Sequence, residues 1–170
     1  MGEQQILGTE VLKGWNLSVP LIQGGMGVGV SLSGLAGAVA AEGCMGVIST
    51  AQIGFDESDF EGNEEECNLR GIRKHIRRAR EIAGGKGMVA VNVMVALQQY
   101  KEHVKEAVRA GADAVICGAG LPADLPELVK AGKTKIAPIV SSKRAAALIL
   151  KTWDKKYGRT ADFIVVEGPK

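Results

Sequence analysis

Residues 19–29 read Val19-Pro-Leu-Ile-Gln-Gly-Gly-Met-Gly-Val-Gly29, a short apolar run followed by four glycines. Pro20 can begin a strand but is excluded from the middle of a sheet, because it has no N–H to donate. Glycine is used where the backbone takes unusual dihedral angles or where another group approaches it closely. The pattern predicts a buried strand that runs into a loop with almost no side chains. Such a loop is either a tight turn or the wall of a ligand site.

The rest of the chain repeats the order of strand, turn and helix. Apolar runs begin near residues 20, 46, 88, 113, 135 and 162, with helical patterns between them. Six strands alternating with five helices predict one α/β domain over residues 1–170, with a parallel sheet. Small or polar residues repeatedly follow the strands, which is typical of a (β/α)₈ TIM barrel, here incomplete with about six strands. An open doubly wound sheet is the alternative, but its glycine fingerprint does not match this spacing.

Two segments are predicted to lie outside this repeat. Residues 1–19 contain turn residues between short apolar pieces, which predicts a lead-in hairpin. Residues 54–68 carry seven acids and predict a solvated loop, because the order of ligands in a calcium-binding loop is absent. Cys67 falls in this loop and is expected to be the accessible cysteine.

Helix boundaries follow from apolar spacing and capping residues. Ser31 or Ser33 is predicted to cap a helix that ends at Gly43, and Ser141 or Ser142 to cap a helix over residues 143–157. A basic helix over residues 69–83 carries His75, and the next helix carries His103. Both histidines have charged sequence neighbours and are predicted to face solvent.

Composition limits the classes of function. The net charge of +2 is nearly balanced, so neither nucleic acid nor an anionic membrane is expected as a partner. No apolar run reaches the roughly 18–20 residues that span a bilayer, and the first residues lack the basic region of a signal peptide, so none is expected. The three cysteines are widely spaced, which predicts neither disulfides nor a metal site, and Cys44 and Cys117 read as core residues. The expected compartment is the cytoplasm.

Several motifs together resemble the nitronate monooxygenase family, formerly called 2-nitropropane dioxygenases. They are Pro20-Leu-Ile-Gln-Gly-Gly-Met-Gly27, the strand that carries Asn92, the turn Gly118-Ala-Gly-Leu-Pro122 and the end Val165-Val-Glu-Gly-Pro169. The related flavin-dependent enoyl-(acyl-carrier-protein) reductases share the pattern. The resemblance runs over essentially the whole chain, with its motifs in the family's order.

The resemblance implies an FMN-dependent TIM barrel that oxidises alkyl nitronates with O₂, with a small nitronate as substrate. It places the backbone of Gly24, Gly25 and Met26 against the flavin ring and an amide at Asn92 on the cofactor. The cofactor-binding residues implied are Gln23, Gly24, Gly25, Met26, Asn92 and Glu167. A weaker correspondence falls at Ser141-Ser142.

The chain also departs from the family. Family members are longer, and their catalytic histidine lies in an Ala-Gly-Gly-His stretch just after the motif that reads Glu167-Gly-Pro-Lys170 here. The resemblance therefore assigns no catalytic residue within these residues. Weak FMN binding, no turnover and self-association through open sheet edges are expected of the chain alone. A flavin-dependent enoyl reductase and a non-catalytic half-barrel remain the alternatives.

Overall fold

The computed structural model describes residues 14–130 and 132–168. Within them, five strands form one parallel sheet, and each strand pairs with the next one along the chain. The strands are β1 (Met45–Ser49), β2 (Met88–Met94), β3 (Ala114–Gly118), β4 (Lys135–Val140) and β5 (Val165–Val166). In a barrel, neighbouring strands follow one another in chain order, as they do here. In a doubly wound sheet the strand order instead reverses at a switch point. The predicted parallel α/β fold is confirmed as an incomplete TIM barrel.

Helices alternate with the strands. They are α1 (Ser33–Ala41), α2 (Glu64–Ala83), α3 (Tyr100–Arg109), α4 (Leu125–Leu128) and α5 (Lys143–Tyr157). Gly46 of β1 lies against the carbonyl of Ala36, so any side chain there would push α1 off the sheet. None of the helices in the described ranges has both the length and the apolar character to cross a lipid bilayer.

The prediction of six strands is only partly right, because both ends of the sheet are shorter than expected. The predicted first strand is a single bridge between Ile22 and Met45, held by hydrogen bonds from Gln23 N to Met45 O (3.0 Å) and from Met45 N to Leu21 O (2.9 Å). At the other end, the run predicted over residues 161–166 is reduced to β5. An edge position explains both results, since only one neighbour supplies hydrogen bonds there.

The two faces of the sheet have different cores. Ile48, Val91 and Val115 point outward and pack under the helices. Met45, Val47, Ala90 and their neighbours point to the concave inside, as the alternation of a strand requires. The amino-terminal end of this inner face is covered by Trp15, whose ring centroid lies 5.4 Å from that of Phe163. The carboxyl end of the inner face has no such cover among the described residues.

The two segments predicted to lie outside the repeat, residues 1–19 and 54–68, agree only in part with the structure. Residues 1–13 of the predicted hairpin lie outside the described ranges, and residues 14–19 form turns and bends without a strand. The acidic segment is shorter than predicted, because α2 begins at Glu64 rather than at Leu69. Acidic residues stabilise the first turn of a helix through its dipole, and Glu64, Glu65 and Glu66 occupy that turn.

The prediction that His75, His103 and Cys67 are accessible is wrong. Their exposed fractions are 6%, 1% and 0%. His75 lies three residues after Ile72 and four before Ala79, which places it on the buried face of α2 despite its charged sequence neighbours. Cys44 and Cys117 are buried, as predicted.

One of the predicted helix caps is correct. Ser142 caps α5, with its Oγ accepting a hydrogen bond from Ala145 N (3.2 Å). The cap predicted for α1 is wrong, because its N-cap residue is Leu32 and no side chain accepts there. Ser31 is instead fully buried and bonds to the preceding loop. Tertiary contact therefore takes this hydroxyl away from the helix end.

Candidate functional site

A cleft of about 680 Å³ lies at the carboxyl ends of the strands. Its walls come from the glycine loop (residues 23–29), the end of β2, the turn after β3 and the residues after β4 and β5. A smaller cavity of about 280 Å³ continues into the barrel interior, between the glycine loop and Phe163. The carboxyl end of the strands is where TIM barrels place their functional groups, so we take the cleft as the candidate site.

Gln23 holds the glycine loop against the barrel. Its side-chain nitrogen donates to Gly24 O (2.8 Å), Ser31 Oγ (2.8 Å) and Val47 O (3.2 Å), and its oxygen accepts from Val47 N (3.2 Å). The polar atoms of this side chain are therefore used within the protein. Gln23 contributes to the site by fixing the loop on β1.

Ser31 fixes the other side of the loop. Its Oγ accepts from Met26 N (2.9 Å), and its backbone N donates to Met26 O (2.9 Å). The sequence did not predict that Ser31 holds the glycine loop, since its pattern indicated a helix cap at Ser31 or Ser33. The useful signal is its position, since a small polar residue that closes a glycine-rich turn can bond back to the turn's backbone.

Gly25 meets Asn92 of β2 directly. A Cβ built on Gly25 would lie 2.6 Å from Asn92 Cβ and 3.4 Å from Val47 Cγ1. Only glycine lets the loop lie this low on the inner face of the sheet. The prediction that these glycines allow close approach is correct at Gly25, where the approaching group is a protein side chain.

The side-chain amide of Asn92 is available to a ligand, whereas its main chain is paired within the protein. Its main-chain oxygen accepts from Thr50 N (3.1 Å) and Thr50 Oγ1 (3.2 Å). Its side chain is partly exposed, lines both cavities and has no hydrogen-bond partner within residues 14–130 and 132–168. A partner on a neighbouring strand, the alternative use of a buried amide, is not observed there. Asn92 therefore presents a free donor and a free acceptor to the cleft.

The other residues predicted to bind the cofactor lie at different places around the two cavities. Glu167 is exposed, lines the cleft and donates its backbone N–H to Val140 O (3.0 Å). Gly24 lines the smaller cavity. Met26 lines neither cavity, and its side chain is 44% exposed. The structure therefore brings Gly25, Asn92 and Glu167 together and leaves the Met26 side chain outside.

The turn after β3 forms another wall of the cleft. Ala119 and Gly120 both have positive φ angles, 52° and 133°. A Cβ on Gly118, the last residue of β3, would lie 2.8 Å from Ile139 Cδ1 and 3.1 Å from Ile139 Cβ, so a side chain there would require Ile139 to shift. Ser141 follows β4 and lines the cleft beside this turn. The weaker indication from the sequence thus falls on the cleft at Ser141.

Neither of the chain's two histidines lines the cleft. His103 lies behind it, with Nδ1 3.2 Å from Thr50 Oγ1 and Nε2 3.3 Å from Gln99 Oε1. Burial lowers the pKa of His103 to about 4 and also lowers the pKa of His75. Glu167 is the one charged side chain that lines the cleft within the described ranges. These residues offer hydrogen bonds and a carboxylate but no proton-accepting histidine.

Comparisons with known proteins support the fold. No protein-family model matches the chain, and no curated protein matches it. The structure of FabK from Thermotoga maritima superposes with a TM-score of 0.69 at 24% identity, covering 94% of this chain and 43% of FabK. A single-residue variant of the same FabK gives a TM-score of 0.70 at 24% identity, with 94% and 45% covered. The chain thus shares the FabK fold and spans less than half of FabK's length.

Proposed function

We propose that this chain forms the flavin-ring wall of an FMN-dependent oxidoreductase of the nitronate monooxygenase type. The observation that carries the proposal is the pair Gly25 and Asn92, which brings a glycine of the loop and an unpaired side-chain amide to one cleft. The motif resemblance supports the same residues, and the likeness to FabK supports the barrel in which they lie.

The residues of the cleft fit a flavin ring. Gly24 lines the smaller cavity that continues from the cleft, and a Cβ there would have no atom within 4 Å, so the loop backbone leaves room for a flat ring on that side. The Asn92 amide offers one acceptor and two donors, which suit the alternating carbonyl and N–H groups of a pyrimidine edge. When bound, the flavin supplies the redox chemistry, while the protein orients it and sets its surroundings.

The described residues bind and orient rather than transfer protons. Asn92 would fix the ring's pyrimidine edge, the glycine loop would exclude water from one face, and the Glu167 carboxylate would accept a hydrogen bond at the rim. No Lys or Arg side chain lines the cleft within the described ranges, so a phosphate has no cation there. The resemblance places the proton-accepting histidine outside these residues. We therefore expect weak FMN binding and no turnover by this chain alone.

FMN binding is tested by titrating the purified chain with FMN and following quenching of flavin fluorescence. Asn92→Ala should weaken binding by about three- to tenfold, the value of one lost hydrogen bond. Asn63→Ala is the matched control, because Asn63 is exposed and lines neither cavity. Saturable binding that is equal in all three proteins would contradict the assignment of Asn92. No flavin binding at all would favour the non-catalytic half-barrel.

The reaction is tested separately with purified full-length protein loaded with FMN. Nitronate-dependent uptake of O₂ without a nicotinamide supports the monooxygenase. Oxidation of NAD(P)H driven by an enoyl thioester supports the second candidate, the flavin-dependent enoyl reductase. That candidate is retained because the same motifs occur in both groups of enzymes. The two assays distinguish them, since only the reductase needs a nicotinamide.

A further inference from the structure

A third cavity, here called the side pocket, lies between the amino-terminal ends of α2 and α3. Its volume is about 370 Å³, and it shares no lining residue with the cleft. Four of its lining residues are carboxamides: Gln52, Asn68, Gln98 and Gln99. Phe60 and Leu97 supply apolar surface, and His103 lies at the buried end. The proposed flavin chemistry uses none of these residues.

Asn68 offers a hydrogen-bond donor to the side pocket. This side chain is only 7% exposed, and its Oδ1 accepts a hydrogen bond from Gly54 N (3.0 Å). Its amide nitrogen has no partner in the described part of the chain, yet it is not among the solvent-excluded polar atoms. Since Asn68 lines the pocket, its free donor faces that space. Water can reach this donor in the free protein, and a ligand acceptor in the pocket would take the place of that water.

The charges around the side pocket favour a neutral ligand. Glu64 and Glu65 line it, and no Lys or Arg side chain does so within residues 14–130 and 132–168. Burial lowers the pKa of His103 to about 4, so this ring is neutral at neutral pH. An anion would meet two carboxylates without a cation, and a simple cation would leave the Asn68 donor unpaired. A neutral molecule with both acceptors and donors satisfies the whole lining.

We propose that the side pocket binds a neutral planar heterocycle with an amide-type edge, the chemistry of a nucleobase. Carboxamide side chains pair with such edges through one donor and one acceptor each, as Asn and Gln do with adenine. Phe60 lines the pocket, and flat bases commonly stack on aromatic side chains. The volume suits a single base or nucleoside, whether free or part of a larger molecule.

Uracil is a suitable probe, in an NMR titration of the ¹⁵N-labelled chain. Millimolar uracil should shift the side-chain NH₂ signals of Asn68 and Gln98 in a saturable way. Asn68→Asp keeps the acceptor for Gly54 N but replaces the free donor, and it should weaken binding by about three- to tenfold. Gln98→Ala removes an exposed amide that has no protein partner in the described ranges, so it should weaken binding without a change in unfolding midpoint.

Asn63→Asp is the control for charge, because it adds the same carboxylate near the start of α2 outside the side pocket. It should bind uracil like the original chain. Orotate, an anionic uracil of similar shape, should bind more weakly, and equal or tighter binding would overturn the charge argument. Uridine separates a nucleoside ligand from a free base. Absence of saturable shifts would overturn the proposal. So would an affinity for uracil in Asn68→Asp and Gln98→Ala that equals the affinity of the original chain.

Discussion

Gly25 is packed so closely on Asn92 that a methyl group on the glycine would lie 2.6 Å from the Asn92 Cβ. The two residues belong to separate βα units, one before α1 and one on β2. Their contact sets the height of the glycine loop above the sheet, and therefore the space between the loop and the Asn92 amide. The glycine is required here by its protein neighbour, even before any ligand is considered.

Gly25→Ala should destabilise the chain by about 1–3 kcal/mol, the usual cost of forcing extra volume into a packed site. The added Cβ must displace Asn92 or lift the loop, because the obstructing atom is a Cβ rather than a flexible side-chain end. Urea denaturation measures the loss. Gly24→Ala is the control, since nothing lies within 4 Å of its Cβ position. An equal loss at both glycines would show that the contact with Asn92 is not the cause.

Gln23→Ala should lower the free energy of unfolding by about 1–3 kcal/mol, because Val47 N and Val47 O both lose a partner beside the core. The loop itself should also become more mobile, since Gln23 is one of its two anchors. Hydrogen exchange at Met26 N, which bonds to the second anchor Ser31, reports on the loop. Unchanged stability together with unchanged exchange would contradict the anchoring role.

Acidification should weaken the fold through His103. Burial lowers the pKa of this ring to about 4, whereas in the unfolded chain it returns to about 6.5. Between these values only the unfolded chain binds the proton, so stability is fully present above about pH 6.5 and falls toward pH 4. The shift corresponds to about 3 kcal/mol at most. His75 acts in the same direction, because burial lowers its pKa too.

The His103 effect is measured by urea denaturation at about pH 7 and about pH 5. His103→Gln removes the titrating ring, so its stability should depend less on pH over this interval than that of the original chain. The difference between the two proteins isolates His103 from the carboxylates. The same pH dependence in both would exclude His103 as the titrating group.

Self-association is expected through β5, the shortest strand and an edge of the sheet. Val166 on this strand is 75% exposed, and an exposed apolar edge favours pairing with another chain. Sedimentation velocity should show a larger species as concentration rises. Val166→Lys should shift the chain toward monomer, because charged residues protect edges. A monomer at all concentrations in the original chain would refute this expectation.

The sequence predicted the elements whose patterns are local. The start of β4 and the bounds of α5 match the predicted ones, because residues 136–140 are a continuous apolar run and Ser142 directly precedes a helical pattern. The sheet's order followed from regular alternation of strand and helix. These features depend on residues close together in the chain.

The sequence did not predict features that depend on tertiary contact. His103 has charged residues on either side along the chain, yet it is buried against Thr50, a residue of another βα unit. Gln23 is expected from the resemblance to contact the cofactor, and its side-chain bonds to Val47 and Ser31 could not be foreseen from the sequence. In each case the partner is far away in the sequence, and no periodicity reveals it. The cofactor role of the cleft residues stays a prediction until ligand binding is measured.

The two anchors of the glycine loop have a consequence for kinetics. Because Gln23 and Ser31 hold the loop from both sides, its shape is already complete when the chain has folded. A ligand that enters the cleft meets a finished surface, and little conformational entropy is lost on contact. Its observed association rate should rise linearly with concentration and show no slower second phase, as expected when no rearrangement follows the encounter.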